Sequence, residues 1–154
     1  MFLAGVEWPD ERFSEALRTA LIRTGNARCL YLAGKHWSDE RYSAEILSAL
    51  IATSDALHIS MAGGGWPKER RSYDILKALA NLQDAVYLYL AGMEWADDYF
   101  DDSVVQALVE SGSAYALYLA GKDWPTKRYS PLVGEVSCAY RLIKLGAPCR
   151  AKNT

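Results

Sequence analysis

The chain has 154 residues, a formal net charge of −2, and 51% apolar against 23% charged residues. That balance supports a packed core and excludes a disordered or fibrous chain, while Lys and Arg scattered through every segment form no basic stripe for phosphates, so nucleic acid is not an expected partner. No run of about 18 apolar residues occurs, so no membrane span is expected. Because Met1-Phe2-Leu3-Ala4-Gly5 leads straight into patterned sequence, a cytoplasmic protein without a signal segment is expected.

The pattern is an internal repeat, which fixes the architecture before any local reading does. Trp8, Trp37, Trp66, Trp95 and Trp124 are spaced by 29 residues and follow Ala-Gly each time. Cys29, Cys138 and Cys149 share no slot in this repeat, so free thiols are expected rather than a disulfide framework.

In each copy the first predicted element is a strand. The stretches 29–32, 58–61, 87–90 and 116–119 alternate, with Leu30/Leu32, Ile59/Met61, Leu88/Leu90 and Leu117/Leu119 on one side. The glycine that follows, at 5, 34, 63, 92 and 121, suits a strand end that turns away at positive φ. The tryptophans come next and are expected to form a stacked structural ladder. Ser14, Ser43, Ser72, Asp101 and Ser130 are N-cap candidates for an amphipathic helix, with apolar positions such as Phe13, Leu17 and Leu21 on one stripe. Turn formers at 24–26, 53–55, 83–84 and 111–113 end the helices.

Strand-helix units joined in this way predict a right-handed α/β solenoid, horseshoe-like, with a parallel sheet and helices on one face. Residues 1–154 read as a single repeat domain with copies near 1–26, 27–55, 56–84, 85–113 and 114–137, closed by a C-terminal capping helix extension at 138–146. The pattern Ala-x-x-Leu-x-Leu-x-x-x-x-Trp, followed by Asp near the helix start, resembles leucine-rich repeats of the ribonuclease-inhibitor type. The resemblance implies strands on a concave side. In this chain Trp stands where that family keeps a leucine, and Val6, Lys35, Gly64, Met93 and Lys122 stand where it keeps an asparagine or cysteine.

On a sheet covered on one side, the alternate strand residues face solvent. One such column holds Phe2, Tyr31, Ser60, Tyr89 and Tyr118, and its neighbour holds Cys29, His58, Tyr87 and Ala116. Exposed tyrosines on a rigid surface suit protein binding. The strand-end loops add Lys35, His36, Glu94, Lys122 and Asp123 as further candidate contacts. The expected function is therefore a non-enzymatic interaction module that binds and inhibits or neutralises another protein, in the manner of an immunity protein, through a concave tyrosine-rich sheet. Two alternatives belong to other classes. One is a small enzyme using a Cys29/His58 thiolate-imidazole pair or a phosphate loop at Gly63-Gly64-Gly65; the other is a self-assembling repeat protein. Asp97, Asp98, Asp101 and Asp102 read as an acidic patch at a helix start rather than a metal site, so neither metal nor cofactor is expected. A homodimer through the uncapped N-terminal repeat is a candidate assembly.

Overall fold

A computed structural model describes residues 3–9 and 12–128. The elements in chain order are α1 (Ala4–Glu7), α2 (Glu15–Thr24), α3 (Ala27–His36), α4 (Ala44–Ala52), α5 (Ala56–Gly65), α6 (Tyr73–Leu82), α7 (Ala85–Glu94), α8 (Asp102–Glu110) and α9 (Ala114–Asp123). Single 3₁₀ turns lie at Lys68–Arg70, before α6, and at Thr126–Arg128. The expected capping extension at 138–146 lies outside the described residues, as do Phe2, Ser130, Cys138 and Cys149.

There is no strand among the described residues, which overturns the α/β solenoid, its parallel sheet and the leucine-rich-repeat architecture. The four stretches read as strands are the first halves of α3, α5, α7 and α9. Alternation over four residues does not distinguish the two periods, and the longer stretch is helical: Leu30, Ala33, Gly34 and Trp37 are all buried, the i, i+3, i+4, i+7 stripe of a helix. Tyr31, placed on the solvent side by alternation, is also buried, whereas Leu32 is only half-buried.

The residues taken for the end of one helix also begin the next. Asn26, Asp55, Asp84 and Ser113 are N-caps whose side chains accept the amides of Cys29 (3.0 Å), His58 (3.0 Å), Tyr87 (3.4 Å) and Ala116 (3.2 Å). Immediately before them Gly25, Ser54, Gln83 and Gly112 take positive φ of 58°, 54°, 50° and 69°. This left-handed residue reverses the chain between two helices. Thr24, Thr53 and Ser111 fold back on the carbonyls of Leu21, Leu50 and Leu108 at 2.6 Å each. The predicted second helices form as α2, α4, α6 and α8. Ser43, Ser72 and Asp101 cap theirs by accepting the amides of Glu45, Asp74 and Ser103, while the side chain of Ser14 makes no such bond.

The chain divides into two compact units, Met1–Ala78 and Leu79–Thr154. In the first, α3 packs on α4 and α5, and α2 on α3 and α4; in the second, α7 packs on α8 and α9, and α8 on α9. The glycines do not end strands. A Cβ built on Gly5, Gly34 or Gly92 would overlap the indole of Trp37, Trp66 or Trp124, the tryptophan of the following repeat. These glycines sit inside helices, and their missing side chain is the seat of a buried ring. The indole NH of Trp66 donates to the Tyr31 carbonyl and that of Trp124 to the Tyr89 carbonyl, both at 2.9 Å.

An arginine completes each seat. Arg70 donates to the carbonyls of Gly34 and Trp37, both at 2.8 Å, and to the Asp39 carboxylate at 2.6 Å. Arg128 reaches Gly92 (2.8 Å), the Trp95 carbonyl and Asp97 (2.7 Å) in the same way, and Arg41 reaches Gly5 (3.0 Å) and Trp8 (2.7 Å). A cation thus satisfies the last carbonyls of the preceding repeat's helix, where the dipole favours positive charge. Arg41, Arg70 and Arg128 lie over Phe13, Tyr42 and Phe100 at 4.8, 4.4 and 4.5 Å, and those rings meet Trp37, Trp66 and Trp124 edge-on. No described helix is long and apolar enough to cross a membrane.

Candidate functional site

The helices α3, α5, α7 and α9 bury one stripe and present another. Their outward positions are Arg28, Leu32 and Lys35; Leu57, Met61 and Gly64; Val86, Leu90 and Met93; and Tyr115, Leu119 and Lys122, each set spaced i, i+4, i+7. Within the first unit α3 and α5 are neighbours, and within the second α7 and α9 are, so each unit carries a two-helix face. Large apolar residues exposed among the described ones are Leu3, Trp8, Leu57, Met61, Tyr73, Val86, Met93 and Tyr115. All but Leu3, Trp8 and Tyr73 occupy these register positions. Val86 and Tyr115 are 60% and 59% exposed, well beyond what a core-facing role allows.

The sequence-predicted contact residues lie on these same helices with their faces redistributed. Tyr31 and Ser60 are buried, His58, Tyr87, Tyr89 and Tyr118 half-buried, so the column of solvent-facing tyrosines does not exist. It runs along the flank where neighbouring helices pack. The hydroxyl of Tyr89 donates to the Asp123 carboxylate at 2.8 Å. Burial, followed by that bond and the charge of Asp123, pushes the Tyr89 phenol above its usual range. Lys35, His36, Glu94 and Lys122 are exposed at or near the C-terminal ends of their helices, and Asp123 is half-buried there; they are helical rather than loop residues.

Three chemical readings were built on strand placements that do not form. Cys29 and His58 sit on the adjacent helices α3 and α5 rather than on neighbouring strands. His58 instead faces Asp55, with Nδ1 3.0 Å from the carboxylate, and its ring is 6.0 Å from that of Tyr31. Burial works to raise the Asp55 pKa, yet the amide and ring of His58 together hold its carboxyl below the usual range. Gly63-Gly64-Gly65 is the last turn of α5, whose carbonyl end repels phosphate. In the acidic stretch Asp97 pairs with Lys127 and Arg128 and Asp101 caps α8, and no cluster of metal-ligating residues occurs among the described residues. Of the tryptophans, Trp37, Trp66, Trp95 and Trp124 are buried, whereas Trp8 is 45% exposed.

Sequence reasoning missed Leu57, Met61, Val86, Met93 and Tyr115 as candidate contacts. The signal was present: counted from the Ala that opens each helix, position 6 is apolar in all four helices and position 2 in three of them, although the buried stripe at 4, 7 and 8 does not need them. No family model matches the chain, and neither does any curated protein or solved structure.

Proposed function

We propose that the protein is a non-enzymatic interaction module that binds another protein through the outward face of its Ala-Gly helices. The observation that carries this reading is the register of the exposed apolar residues. In the second unit Val86 and Tyr115 hold the same position on the adjacent α7 and α9, with Met93 further along α7, and in the first Leu57 and Met61 lie one turn apart on α5, so they cluster rather than scatter singly. Such patches flanked by charge, here Arg28, Lys35, Glu94 and Lys122, have the composition of protein contact sites. Inhibition or neutralisation of the partner belongs to the same proposal, as does a cytoplasmic setting, for which the free thiol of Cys29 speaks.

The test is photo-crosslinking in the cells that produce the protein. A photoreactive residue at Met61 or Met93 should give a discrete crosslinked species, and one at Ala52, exposed at the end of α4, should not. Crosslinks confined to Ala52, or none at either methionine, would refute the assignment.

A further inference from the structure

The two units differ at one register position in a way that the packing does not require. In the second, Tyr89 donates its hydroxyl to Asp123, 34 residues further on. In the first, the equivalent tyrosine is Tyr31, and 34 residues on from it stands Gly65. A Cβ on Gly65 would lie 3.0 Å from the Tyr31 hydroxyl oxygen, so that hydroxyl ends at the spot where the second unit places the carboxylate-bearing side chain of Asp123. Tyr31 is 5% exposed, and no group among the described residues accepts a hydrogen bond from its hydroxyl. The hydroxyl oxygen is not among the fully buried side-chain atoms that lack a partner, so its tip is open to an incoming acceptor.

A second substitution accompanies the first. Where the second unit has Met93, the first has Lys35, whose Nζ lies 5.8 Å from the centre of the Tyr31 ring. The cation is therefore present in the unit that lacks the carboxylate. Gly65 is exposed, and Met61, one turn before it on α5, is exposed with Leu57.

The geometry points to a carboxylate-binding notch at Tyr31, Lys35 and Gly65 that takes an Asp or Glu side chain of a partner polypeptide, with apolar neighbours of that residue seated on Leu57 and Met61. The Tyr31 hydroxyl donates to the incoming carboxylate as Tyr89 donates to Asp123, and Lys35 supplies the opposing charge. The inference rests on the binding role proposed above and specifies what one face recognises.

A randomised linear peptide library selected against the full chain tests it, with Tyr31→Phe, Gly65→Asp and Met61→Glu as variants whose folding is checked by melting. The wild type should select peptides with an acidic residue beside apolar ones. Tyr31→Phe should bind those peptides about tenfold more weakly, the loss of one charge-assisted bond. Gly65→Asp, which fills the notch from within, should select apolar peptides without the acid. Selection of apolar peptides with no acidic preference, lost on Met61→Glu, would overturn the notch and leave the binding role standing. Unchanged affinity in Tyr31→Phe would also overturn it, and that variant decides the matter if Gly65→Asp fails to fold. If the wild type selects no peptide at all, both readings fall.

Discussion

The seat of Trp66 on Gly34 makes a prediction whose sign depends on the background. In an ordinary helix interior, Gly→Ala stabilises by about 1 kcal/mol. At Gly34 the added methyl would enter the ring of an indole that is sealed from solvent and held by its bond to the Tyr31 carbonyl. Overpacking of a fixed neighbour costs about 1–3 kcal/mol, so Gly34→Ala should fail to stabilise and should cost a net of up to about 2 kcal/mol. Trp66→Ala alone should cost about 3–5 kcal/mol. With the ring gone, Gly34→Ala meets no obstacle and should recover about 0.5–1 kcal/mol of helix propensity. The coupling is then the overpacking cost itself, about 1–3 kcal/mol, within the range for residues in contact. Denaturant unfolding followed by far-ultraviolet circular dichroism, with transitions compared at constant m, gives all four corners of the cycle. A Gly34→Ala that stabilises the wild type, or that costs the same with and without Trp66, would refute the seat.

Three other outcomes follow from the same geometry. Arg70→Lys keeps the charge but loses the two-pronged contact with Gly34 and Trp37, and should destabilise by about 2 kcal/mol, while Asp39→Asn, at a carboxylate 92% exposed, should shift stability by under about 1 kcal/mol; equal effects in thermal melts would contradict this. Ser54→Gly relieves a left-handed residue that Gly25 and Gly112 occupy without strain, and should stabilise by up to about 1 kcal/mol, read as a raised denaturation midpoint. The Asp55 carboxyl is held below its usual range, so its contribution is present above the ordinary carboxylate pKa and is lost as pH falls through the lowered value; Asp55→Asn, which still caps α5, should flatten that acid limb in melts taken across it.

The sequence made the period, the second helix of each repeat and most of its caps readable, because Ser43, Ser72 and Asp101 stand immediately before long apolar stripes. It misassigned the first element for a definite reason. Leu-x-Leu satisfies both periods, and the residue that would have decided between them, the glycine of Ala-Gly, was credited with conformational freedom. Its purpose is to make room for an indole 32 residues away, a contact that becomes visible only once the partner helix is in place. The error propagated to the site. With the period wrong, Tyr31 moved from the flank to the surface, and Leu57, Val86 and Tyr115 went unremarked. Lys35, His36, Glu94 and Lys122 are exposed, as expected of them, but on helices rather than on strand-end loops.

The reach of each arginine and tryptophan back to the preceding repeat has a consequence for how such a chain can change length. Arg70 spans 36 residues to the Gly34 carbonyl and Arg128 spans the same 36 to that of Gly92. Every copy that carries both a ring and a glycine holds the ring of the joint before it and the glycine of the joint after it. A duplication of 29 residues therefore supplies a new joint already matched on both sides, whereas an insertion of one residue anywhere between glycine and arginine would misalign ring, fork and carbonyls together. The joint geometry thus favours gain or loss of whole 29-residue copies over shorter insertions between glycine and arginine.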